Sequence, residues 1–162
     1  MVQQLSERAK TAAYLANSGP GRTFVKLDTA QVIFAEGDRA DSVYYLHTGG
    51  AKLTVASKGG HQTIVALCST GDFVGEESIA QDAATLRTLT ATAVAPCIAV
   101  KIEGREMVRM IHENQGFRDA FRKFLLDRII RSQADLANRI FDAEECRRIG
   151  PACPGSTERM VS

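Results

Sequence analysis

Glycine pairs with aspartate or a second glycine at Gly37-Asp38, Gly49-Gly50, Gly59-Gly60 and Gly71-Asp72, about every eleven or twelve residues. That spacing predicts short strands joined by tight turns. Between and after the glycines lie QVIFAE (31–36), SVYYLHT (42–48), AKLTVAS (51–57), QTIVALCS (62–69), LRTLTATAVA (86–95) and CIAVKIE (97–103), all dominated by Val, Ile, Thr, Tyr and Ala, the residue types that suit a pleated surface. Several alternate, as in Lys52, Leu53, Thr54, Val55, which predicts one apolar sheet face and one wet face. From about Thr23 to Glu103 the expected architecture is mainly β: an antiparallel sandwich or jelly-roll-like β roll, whose Greek-key connections leave few open edges.

Beyond the strands the period changes. Residues 105–114 read as a short helix and residues 115–146 as a long one, with Phe117, Phe121, Phe124, Leu125, Ile129, Leu136 and Ile140 at three- and four-residue steps. A helix of nearly thirty residues is longer than a small β domain needs to cover its own face. The stripe Phe121, Leu125, Ile129, Leu136, Ile140 is therefore expected to pack against its twofold mate in a homodimer. Residues 1–20 form a separate N-terminal helical segment in this reading, and residues 21–114 the β roll. The ending RRIGPACPGSTERMVS loses the apolar period, so 147–162 is expected to be a disordered tail.

Several function classes fall away on simple grounds. A length of 162 residues suits one domain, and a formal net charge of +1 gives no global pull toward nucleic acid or membrane, so any anion site must be local. The first twenty residues carry charges and no long apolar core, hence neither a signal peptide nor a transmembrane helix, and a cytoplasmic location is expected. Cys68, Cys97, Cys146 and Cys153 make no CxxC pair and read as free thiols. His47, His61 and His112 make no HxH pair, so a cupin-like metalloenzyme is a remote alternative and no metal site is expected. Of Tyr44 and Tyr45, one should pack in the core and the other lie outside. The basic residues of the long helix alternate with Asp119, Asp127 and Asp135 and read as a solvated face. No nucleophile or acid-base pair emerges, and the chain reads as a non-enzyme.

The stretch GDFVGEESIAQDAATLRTLTATA (71–93) carries the chemistry. A turn beginning at Gly75 offers free N–H groups near residues 75–78, where glycine lets a ligand approach the backbone closely. Glu76 would repel an anion there, unless its carboxylate accepts from a hydroxyl of the same ligand while Arg87 and Thr88 donate to the anion. A sugar phosphate meets both demands. A plain Glu76–Arg87 ion pair with no ligand meets the spacing equally well.

The order FVGEESIA, a connector, then RTLTATA closely resembles the phosphate-binding cassette of cyclic nucleotide-binding domains in the Crp/Fnr superfamily of bacterial regulators. The likeness extends from about Gly21 to Phe141: VIFAEGDRADSVYYLHTGGAKLTV resembles the first half of that β roll, and the long helix its dimerisation helix. The resemblance implies a cyclic nucleotide such as cyclic AMP as ligand and no other cofactor. Glu76 would accept from the ribose hydroxyl and Arg87 would bind the cyclic phosphate. Gly75, Glu77, Ser78 and Thr88 would complete the cradle, and Ser132 on the long helix would face the base. Leu89 stands where nucleotide-responsive members usually have a small residue. Family regulators continue into a winged helix-turn-helix after the long helix, whereas this sequence ends at FDAEECRRIGPACPGSTERMVS. The expectation is an effector-sensing and dimerising domain without its DNA-binding half, so that this chain does not bind DNA directly although full-length relatives do. A ligand-independent dimerisation module that pairs with intact regulators is the alternative.

Overall fold

The structure, a computed structural model, describes residues 2–17, 19–80 and 85–150. In chain order the elements are helix α1 (Val2–Ala16), strands β1 (Arg22–Leu27), β2 (Val32–Phe34), β3 (Ser42–Thr48), β4 (Gly50–Ala56), β5 (Gln62–Ser69) and β6 (Phe73–Val74), a 3-10 turn (Glu76–Ile79), strands β7 (Thr90–Ala93) and β8 (Cys97–Glu103), and helices α2 (Gly104–Glu113) and α3 (Gln115–Ile149). The strands form two antiparallel four-stranded sheets, ordered β1-β8-β3-β6 and β2-β7-β4-β5. This is the expected antiparallel β roll followed by a long helix. Two compact units divide at Phe124 and Leu125. The first holds both sheets.

Leu27, Phe34, Tyr44, Leu46, Leu53, Val74, Ala91, Ala93 and Ala99 bury one face of each sheet in a common core. The alanines of β7 and β8 are small enough to let long side chains from the facing strands interdigitate. A turn at Gly49 carries the chain from β3 in one sheet to β4 in the other. Its φ is 88°, and an added Cβ would lie 2.6 Å from the Pro96 carbonyl oxygen and 2.9 Å from the Cys97 Cα. Both obstacles are backbone and cannot swing aside. Gly49→Ala should therefore cost about 2–4 kcal/mol, read as a lower urea midpoint. Gly60→Ala, where φ is 81° but nothing lies within 4 Å, should cost only about 1 kcal/mol.

Three sequence expectations need correction. Tyr44 and Tyr45 do point to opposite faces of β3, but both are buried, at 9% and 2% exposure. Tyr44 meets Phe34 in the core, while Tyr45 packs on Phe73, which also contacts Phe117, Phe121 and Phe124 of α3. The outer face of that sheet is thus covered by helix instead of water. Thr54, expected on the wet face with Lys52, is buried at 3% exposure. Opposite it, β5 carries one extra residue, Val65, between the partners of Leu53 and Thr54, a bulge that shifts the β5 register, while Leu53 and Thr54 keep regular partners on β7. The strand expected over 86–95 shrinks to Thr90–Ala93, and ahead of it Leu86 pairs with Arg39 in an isolated antiparallel bridge.

The helix α3 has 35 residues and runs to Ile149, past the expected end at Cys146, and stops where Gly150 adopts φ 68°. Cys68 and Cys97 are free and buried, as expected of free thiols, but Cys146 is disulfide-bonded. Pairing depends on Cα atoms within about 4.4–6.8 Å, which spacing in a sequence does not reveal. Residues 147–149, expected in the tail, belong to α3, and 151–162, Cys153 among them, lie outside the described residues. Within the second unit Ile129, Ile130, Leu136, Ile140 and Phe141 are between 51% and 66% exposed. No helix among the described residues is long and apolar enough to cross a membrane.

Candidate functional site

The cradle is built where β6 ends. Gly75 takes a left-handed conformation, φ 84° and ψ 30°, and turns the chain into Glu76–Ile79. A Cβ there would lie 2.5 Å from Nη1 of Arg87 and 3.1 Å from the Phe34 ring, so glycine is required both by conformation and by space. The other half is fixed by backbone pairing. Gly37 N–H donates to the Arg87 carbonyl at 2.8 Å, Arg87 N–H to the Asp38 carbonyl at 2.7 Å, and Ala40 N–H to the Thr85 carbonyl at 2.9 Å. The turn after β2 thus anchors the segment that presents Arg87.

Arg87 is the buried centre of this arrangement, its side chain 1% exposed. Nη1 donates to the Gly75 carbonyl and to Glu77 Oε1, both at 3.0 Å, and Nη2 donates to the Ser42 carbonyl at 2.5 Å. The guanidinium lies 4.1 Å from the centre of the Phe34 ring. Its Nε is buried and has no acceptor. The Gly75 carbonyl also accepts from Ser78 N–H at 3.2 Å and Ser78 Oγ at 2.9 Å, so the Ser78 hydroxyl spends its proton on its own turn. Next to Ser42, the Asp41 carboxyl is held below the ordinary carboxylate range. The Ser42 hydroxyl bond at 2.6 Å is the main cause, opposed by burial and aided by the positive charges of Lys101 and Arg87.

Gly75, Glu77, Ser78 and Arg87 are therefore joined in one hydrogen-bonded cluster. Glu76 is partly buried at the first position of the turn, and Thr88 is exposed directly after Arg87. The ion pair of Arg87 is made by Glu77 and not by Glu76, the residue that spacing suggested. In a 3-10 turn successive side chains are rotated by about 120°, so only one of the two adjacent carboxylates faces the arginine. Leu89 is partly buried and packs on the core. Phe34 and Ser42 were not foreseen, since one acts through its ring face and the other through a carbonyl oxygen, neither of which leaves a mark in the sequence.

Of the residues assigned to pairing, Phe121 is 4% exposed and packs edge-on to Phe73 at 5.1 Å. It belongs to the core of its own first unit, which corrects its place in the dimer stripe. Leu125 is partly buried, while Ile129, Leu136 and Ile140 are exposed at 53%, 60% and 51%. Ser132 is exposed on the same helix, in the second unit. Among the described residues no cluster of three His, Cys, Asp or Glu could hold a metal ion.

A family model described as the cyclic nucleotide-binding domain matches residues 24–114, more than half of the chain. The cAMP-activated global transcriptional regulator CRP of Pasteurella multocida (strain Pm70) is 27% identical over 89 residues, covering 55% of this chain and 42% of that protein. The Thermus thermophilus catabolite activator protein has a similar fold, with a TM-score of 0.63 at 19% identity over 85% of this chain and 60% of its own. The c-di-GMP responsive global regulator CLP of Xanthomonas campestris follows with a TM-score of 0.59 at 17% identity, over 93% of this chain and 74% of its own. This chain spans less than half the length of the Pasteurella protein.

Proposed function

Because this chain belongs to the cyclic nucleotide-binding domain family, we propose that its Gly75–Arg87 cradle binds a cyclic nucleotide, with cyclic AMP the first candidate, and that it serves as the sensing part of a Crp/Fnr-type transcription regulator. The supporting observation is a cation, Arg87, that is almost wholly buried yet keeps one donor, Nε, without an acceptor. Leaving a buried donor unmatched costs about 1–3 kcal/mol. A cyclic phosphate supplies an anionic acceptor of the right kind beside the Gly75 backbone, with the Thr88 hydroxyl next to it as a second donor. In this reading Glu76 accepts from the ribose hydroxyl, which explains a carboxylate placed next to an anion site. The relatives differ in the effectors that their names carry, cAMP for one and c-di-GMP for another, so the fold alone does not select the nucleotide.

We propose further that α3 pairs with its twofold mate. Ile129, Leu136 and Ile140 repeat at seven- and four-residue steps and are more than half exposed, a pattern that a second copy of the same helix would bury in a homodimer. Ser132 falls within this stripe and would place a hydroxyl at the base edge. A ligand-independent dimerisation module is favoured by one observation, that protein acceptors already hold both Nη atoms of Arg87. Thermal unfolding with and without nucleotide separates the two. A ligand at 100 times its Kd adds about 2.7 kcal/mol, which should raise the Tm by several degrees. An unmoved Tm with cyclic AMP, cyclic GMP and c-di-GMP would favour the ligand-independent module.

A further inference from the structure

We infer that Glu77 sets the affinity of this site by occupying Arg87 when no effector is bound. This rests on the cradle being a nucleotide site, and it assigns to Glu77 a role opposite to that of a ligand contact. Both protons of Nη1 are committed, one to the Gly75 carbonyl and one to Glu77 Oε1, each at 3.0 Å. The Glu77 carboxylate is the charge-compensating group bonded to a guanidinium that is 1% exposed, and Glu77 itself is 28% exposed. Arg87 is therefore deeply held, while its anionic partner reaches solvent and can swing out.

A phosphate in the cradle and that carboxylate would both bond Arg87. Two anions cannot share one guanidinium without repulsion, so effector and Glu77 compete for Arg87. The Gly75 and Ser42 carbonyls present no such conflict, because they are neutral and can remain bonded while an anion approaches Nε. Apparent affinity is reduced by the fraction of molecules in which Arg87 is free to receive the ligand, as for any minor binding-competent state. Removing the charge from Glu77 while keeping its shape raises that fraction. Glu77 thus works as an internal stand-in for the phosphate.

The test compares wild type with Glu77→Gln and Glu77→Ala, each checked for folding by circular dichroism, in titrations with cyclic AMP and cyclic GMP and in stopped-flow runs with a fluorescent cyclic AMP analogue. Competition predicts affinity about tenfold tighter in Glu77→Gln, carried by faster association with dissociation nearly unchanged. A merely structural Glu77 would loosen the cradle and raise dissociation instead. If wild type binds and the folded variants bind equally or more weakly, the inference is overturned while the nucleotide site stands. Should neither wild type nor variants bind any of these nucleotides, the nucleotide site itself is wrong, and the inference falls with it. Binding that appears only in the variants supports both.

Discussion

Arg87→Lys should lower the affinity for cyclic AMP by about 100-fold or more, because truncating one partner of a buried charged pair typically costs 2–5 kcal/mol. The exchange keeps the charge but replaces a planar fork by a point donor. Lysine cannot hold the Gly75 carbonyl, the Ser42 carbonyl and Glu77 at once while offering a further N–H to a phosphate. Arg87→Ala should abolish binding but is the poorer probe. Four features, three bonds and the Phe34 ring, depend on this side chain, so its removal should also destabilise the fold by about 2–4 kcal/mol. Calorimetry on folded Arg87→Lys is the decisive form, and unchanged affinity there would remove Arg87 from the site.

Leu136→Asp should split the proposed dimer. Burying a leucine contributes about 1.5–3 kcal/mol, and a twofold axis counts the loss twice, before the cost of desolvating two carboxylates at a shared seam. The dimer dissociation constant should rise by at least about 1,000-fold, and sedimentation velocity would show a monomer where wild type sediments as a dimer. Leu136 is 60% exposed, so the substitution should leave the melting of the β roll nearly unchanged. If helix pairing and ligand binding are coupled, each strengthens the other by the same factor, and the monomer should also bind nucleotide more weakly. A monomer with wild-type affinity would show the two to be independent, and a wild type already monomeric would end the proposal for α3.

Much of the architecture is legible in the chain because the strands are marked twice, by composition and by punctuation. SVYYLHT, QTIVALCS and CIAVKIE coincide with β3, β5 and β8, since each is rich in β-branched or aromatic residues and bounded by turn residues. Period-2 reasoning fails at Thr54, which alternates with Leu53 yet is also buried, and at Tyr45, whose outer face is covered by α3. Phe121 misleads for a related reason. A helical stripe read from sequence is continuous, but its first turns serve the chain's own core through Phe73 and only later positions remain exposed. In the cradle, Gly75 and Arg87 stand out by residue type and spacing. Their connection through the Ser42 carbonyl, the Phe34 ring and Glu77 depends on backbone direction, which a linear pattern does not carry.

Isothermal titration of the wild-type chain with cyclic AMP, run beside 5′-AMP, reads nucleotide binding at the cradle directly. A nucleotide-binding cradle should give saturable heat with the cyclic nucleotide, weaker or absent heat with the open-chain monophosphate, and loss of the cyclic AMP signal in Arg87→Lys. Folded wild-type protein that gives no saturable heat with cyclic AMP, nor with cyclic GMP in its place, would contradict nucleotide binding there.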